Sequence, residues 1–82
     1  MRLPRDLSGD ALASRLQKYG YETTRQTGSH LRLTSTHAGV EHHITIPRHG
    51  SLRVGTLSAI LADVAAYLGT DRAELLAQLF GR

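Results

Sequence analysis

The sequence predicts an α+β fold: one helix, three antiparallel strands, a second helix and a short extra helix at the end. Three observations carry this expectation. Apolar residues recur at helical intervals in two separate stretches, Leu12, Leu16 and Tyr19 near the start and Leu57, Ile60, Leu61, Val64 and Leu68 later on. Between them lie two runs in which polar and apolar residues alternate, His30 to Thr34 and Glu41 to Ile46, the first opened by a Gly28-Ser29 turn signal. Finally, a chain of 82 residues is long enough for one packed core and too short for two, so residues 1–82 are expected to form a single domain.

Each element has its own warrant. Ser8 is suited to cap a helix, Asp10 stands where a carboxylate favours a helix amino end, and Gly20 is a natural stop after about three turns. Tyr21 to Thr27 is rich in aromatic and β-branched residues and reads as a first strand. In the second strand Leu31 and Leu33 must face a core, which puts His30 and Arg32 together on the opposite face. Ile44 and Ile46 give the third strand, from Glu41 to Ile46, the same alternation, and Pro47 closes it. Arg48 to Gly55 reads as a basic, glycine-punctuated loop, Thr56 as the cap of the second helix and Gly69 as its end. Thr70 or Asp71 can cap the last helix, which carries Leu75, Leu76, Leu79 and Phe80, the last two being candidates for an exposed docking patch. Both main helices should pack on the Leu31/Leu33/Ile44/Ile46 side, leaving the other sheet face free for a ligand.

Composition narrows the function classes. There is no cysteine, so disulfide staples and thiolate metal sites are excluded. The amino terminus has no apolar run of the signal-peptide kind, and no segment approaches the roughly 20 apolar residues of a membrane span, so a cytoplasmic protein without membrane contact is expected. The formal charge of +3 and a pI near 10.0 favour an anionic partner without choosing among RNA, DNA and an acidic protein. No P-loop, dinucleotide fingerprint, carboxylate pair or serine-histidine-aspartate set is present.

The candidate chemistry rests on His30. It follows directly on the Gly28-Ser29 turn, with Arg32 along the same face and Arg25 on the facing strand. An imidazole, with an ordinary pKa of about 6.5, can take a proton from a ribose 2′-hydroxyl or give one to a leaving oxygen, while arginines neutralise the phosphate. No metal or cofactor is needed for this. The opposing consideration is that most surface histidines do no chemistry. His42 and His43 are neighbours in a strand, so they point to opposite faces and make a poor metal pair; they read as polar surface. Arg48, His49 and Arg53 could track a nucleic-acid backbone or merely line a solvated connector. A helix-turn-helix reading of the last two helices is disfavoured, because the final helix would present Asp71, Arg72, Glu74 and Gln78, a poor complement to DNA.

The blocks Gly20-Tyr21, Arg25-Gln26-Thr27-Gly28-Ser29-His30, Thr45-Ile46-Pro47-Arg48-His49 and Leu52 through Leu61 together resemble, in order and spacing, the HicA toxin family. The resemblance covers nearly the whole chain, from Leu3-Pro4-Arg5 to the last helix; Thr23-Thr24, where apolar residues are commoner, and the longer last helix depart from it. It implies a double-stranded-RNA-binding-domain-like α-β-β-β-α fold and metal-independent cleavage of messenger RNA that inhibits translation. It also implies neutralisation by a HicB antitoxin, in a dimer or a hetero-oligomer. The family's catalytic histidine maps onto His30, with Arg25, Gly28, Ser29, Arg32, Arg48 and His49 as the residues expected at the RNA. A non-catalytic RNA-binding module of the same fold is the alternative.

Overall fold

The computed structural model describes residues 3–48 and 50–81. Its elements run in the order helix α1 (Gly9–Leu16), strands β1 (Glu22–Thr27), β2 (His30–Ser35) and β3 (His42–Pro47), then helices α2 (Val54–Leu68) and α3 (Arg72–Phe80). The strands form one antiparallel sheet in the order β1-β2-β3. This is the α+β, α-β-β-β-α arrangement with an extra C-terminal helix that the sequence predicts.

The capping chemistry explains where α1 begins and ends. Ser8 Oγ accepts from the Ala11 amide at 3.1 Å, and the helix tightens into a 3-10 turn, Gln17–Tyr19, before stopping at Gly20. Its first turn presses on the end of β3 so closely that a Cβ on Gly9 would lie 1.9 Å from the Pro47 carbonyl oxygen. Only glycine allows that approach.

The sheet has one covered face and one open face. Leu31 and Leu33 of β2 and Ile44 and Ile46 of β3 are buried against the helices, in a core completed by Leu12, Leu16, Leu57, Leu61, Val64 and Leu75. β1 differs from this pattern, since all six of its residues are exposed and a bulge at Thr24 interrupts its pairing with β2. It is a polar edge strand, and the bulge is a common way to keep such an edge from pairing with another chain. Tyr21 precedes β1 and is fully buried.

Three expectations are corrected. The second helix begins two residues before Thr56, with Arg53 in extended conformation as its cap and no side-chain cap bond, because buried Leu52 anchors the chain at that point. Leu79 is buried and Phe80 half-buried, so they form no docking patch. Arg15 donates to the Leu79 carbonyl at 2.7 Å with its guanidinium 5.1 Å over the Phe80 ring, and Lys18 donates to the Gln78 carbonyl at 3.0 Å. Two cations thus complement the negative end of α3, whose other end is capped by Asp71 accepting from the Glu74 amide at 2.7 Å.

The third correction concerns His42, which is no surface residue. It faces the helices, stacked on Tyr67 with ring centroids 4.6 Å apart, its Nε2 3.2 Å from Asp63 Oδ1 and its Nδ1 2.6 Å from the Tyr21 hydroxyl. A carboxylate only accepts, so in the neutral ring Nε2–H donates to Asp63 and Nδ1 accepts from Tyr21. Burial pushes the Tyr21 hydroxyl well above its ordinary pKa of 10.0, with Tyr67 and Asp63 adding to the shift, which keeps it a donor. Among the described residues no helix is long and apolar enough to cross a membrane.

Candidate nucleic-acid interface

The turn between β1 and β2 positions the candidate site. Thr27 pairs with His30, so Gly28 and Ser29 alone make the connection. Gly28 has φ +52° and Ser29 has no positive φ, the pattern of a type II′ hairpin turn with glycine first. His30 is therefore the first residue of β2, exposed on the open face at the hairpin end. Its partners are Thr27 on β1 and Pro47 on β3.

One pleat further along the same face, Arg32 pairs directly with Arg25 on one side and Thr45 on the other. All three are exposed, and among the described residues neither arginine has an acidic partner. Two like charges directly across an antiparallel pair repel each other, so the pair favours an anion between or above them. His30, Arg25 and Arg32 thus stand within neighbouring rungs of one ladder, on rigid strands rather than on loops.

Arg48 is placed differently. Its amide donates to the Ser29 carbonyl at 2.7 Å and so braces the turn, but its guanidinium lies 3.3 Å from Asp10 of α1. It is held toward the helices and does not join the two arginines on the open face. Arg53 is exposed and lines a shallow cleft of about 250 Å³ with Pro47, Ser51, Leu52 and Thr56. His49 lies outside the described residues.

Sequence reasoning passed over one group. His43 is on the open face, paired with Thr34, and its ring is bonded to both Thr34 and Glu41. The strand alternation that places His30 there also places His43, four positions along the ladder; only its lack of a turn motif hid it.

The family model described as the HicA toxin of bacterial toxin-antitoxin matches residues 9–65 of the 82. No curated protein and no solved structure matches the chain. The matched stretch runs from the first residue of α1 through the whole sheet and most of α2, and includes His30, Arg25 and Arg32. By that match this chain belongs to the HicA toxin family of bacterial toxin–antitoxin systems, and membership implies a cognate antitoxin as partner.

Proposed function

We propose that this toxin is a metal-independent endoribonuclease that cuts messenger RNA with His30 as its catalytic residue and so inhibits translation. The observation that carries the proposal is the exposed imidazole at the start of β2, one pleat from the facing Arg25/Arg32 pair. His30 takes the proton of a ribose 2′-hydroxyl as that oxygen attacks the adjacent phosphorus. The bond to the 5′-oxygen breaks, giving a 2′,3′-cyclic phosphate and a free 5′-hydroxyl. Arg25 and Arg32 hold the phosphate and offset the charge that builds on its oxygens in the transition state. Gly28 and Ser29 fix where His30 enters the strand, and the Arg48 amide holds Ser29 in place.

The departing oxygen needs a proton. Around His30 on the open face stand Thr27, Arg25, Arg32, Thr45 and Pro47, none of which is an acid at neutral pH. Water supplies that proton in this scheme. The open sheet face suits an unpaired RNA strand laid along it, and the antitoxin silences the toxin by covering the same cationic face. The whole activity runs in the cytoplasm, where both messenger RNA and the antitoxin are met, and the chain acts as a single domain.

Induced expression of the wild type and of His30→Ala in bacteria tests the reading. Growth arrest with degraded messenger RNA in the wild type alone supports it. Equal growth and intact messenger RNA with both proteins would sink it, and binding of RNA without cleavage would leave the non-catalytic module in its place.

A further inference from the structure

The open face carries a second set of polar groups, toward the opposite end of the strands from His30. The His43 ring is held from two sides, with Nδ1 2.8 Å from Thr34 Oγ1 and Nε2 2.8 Å from Glu41 Oε1. Because a carboxylate only accepts, Nε2 donates to Glu41 and the ring is fixed in one orientation. Thr34 Oγ1 lies in turn 2.9 Å from Thr24 Oγ1, which reaches the Arg32 carbonyl at 3.4 Å. The bulge in β1 is what brings Thr24 beside Thr34. One imidazole and two hydroxyls therefore form a hydrogen-bonded row across all three strands.

This row is unlike the arginine rung next to it. The Glu41 carboxylate repels phosphate, so the row is a poor backbone site. Its hydroxyl oxygens keep lone pairs that can accept from the N–H groups of a base, and its oriented ring offers a π-face, which suits an unstacked base. The arginine rung lies between the row and His30. Thr34 lies four positions beyond His30, about 13 Å at about 3.3 Å per residue. That distance corresponds to no more than about four nucleotides at a stacked rise of about 3.4 Å.

We propose that His43, Thr34 and Thr24 form a base-reading site that selects the cleavage position through a nucleotide up to about four residues from the scissile bond, with Glu41 as the positioning residue for the ring. The proposal rests on the endoribonuclease reading of His30 and adds the determinant of its sequence preference.

The test uses the purified full chain on an RNA of mixed sequence, with cut positions mapped from the product ends, and on a matched octanucleotide and dinucleotide. The wild type should favour one base at a fixed offset from the cut. His43→Ala and Thr34→Val should flatten that preference and raise KM on the octanucleotide about tenfold, the size of one lost base contact. The rise should shrink on the dinucleotide, and Thr34→Ser should keep the preference. Thermal melts of the variants establish that they are folded. Variants that retain the wild-type cut pattern and KM overturn the base-reading site while leaving the His30 reading intact. A wild type that cuts none of these RNAs overturns both.

Discussion

His42 and His43 are adjacent in one strand and belong to two different regions of the molecule. His42 looks toward the helices, where Tyr21, Asp63 and Tyr67 use its two nitrogens and its ring face to tie β3 to α2 and to the segment before β1. His43 looks outward, bonded to the exposed side chains of Glu41 and Thr34, on the face that carries His30, Arg25 and Arg32. The same residue type thus serves cohesion on one face and is available for a ligand on the other. The period of two along a strand decides which. The covered face invests its polar groups in one another: among the described residues, no buried side-chain polar atom lacks a partner. The open face leaves two arginines opposed and without acids, an arrangement that contributes nothing to stability and suits an anion.

If the division holds, substitutions on the covered face should cost stability, and those on the open face activity. The largest stability loss is expected for Leu61→Ala, which empties a fully buried position and should cost about 2–5 kcal/mol in chemical denaturation. Its RNA cleavage, corrected for the folded fraction, should match wild type. Tyr21→Phe should cost about 1–3 kcal/mol, because His42 Nδ1 loses its donor while the aromatic packing remains.

That variant also sharpens the comparison through pH. The Tyr21 hydroxyl is held above its ordinary 10.0, so the native state keeps a proton that the unfolded chain loses. Its contribution is fully present below pH 10 and is lost as pH rises beyond it. Wild-type stability should therefore fall above pH 10, and Tyr21→Phe should fall less steeply; parallel curves would contradict the assignment. Asp71→Ala removes the cap of α3 and should cost about 0.5–2 kcal/mol, read from the thermal midpoint. The smallest effect is expected for Thr45→Ala on the open face, within about 0.5 kcal/mol of wild type. A larger loss there would mean that the open face also holds the fold together.

Much of this was legible in the residues because the signals are local. Alternation in β2 and β3 assigns Leu31, Leu33, Ile44 and Ile46 to the core, and with them His30 and Arg32 to the outside. Gly28-Ser29 announces its turn, and Ser8, Gly20, Gly69 and Asp71 mark helix ends. What escaped were contacts between residues distant in the chain. Nothing near Tyr21 signals that its hydroxyl meets a histidine 21 positions later, and nothing near Arg48 signals Asp10, 38 positions earlier. The start of α2 differs from the sequence expectation for a related reason: Thr56 is the better cap by residue type, but the helix starts at Val54, just after buried Leu52. In the candidate site, the shared face of His30, Arg25 and Arg32 can be read from strand periodicity, whereas the Thr24–Thr34–His43 row depends on a bulge that no residue pattern announces.

The central claim is that the open face performs a transesterification and His30 moves the proton. Incubation of purified wild type and His30→Ala with a defined RNA in the presence of a chelator, followed by analysis of the product termini, tests it most directly. The account predicts chelator-resistant cleavage to 2′,3′-cyclic phosphate and 5′-hydroxyl ends, slowed about 10²- to 10⁴-fold in a His30→Ala protein that melts like wild type. Cleavage that stops with the chelator, yields 5′-phosphate ends or proceeds at the wild-type rate in His30→Ala would contradict it.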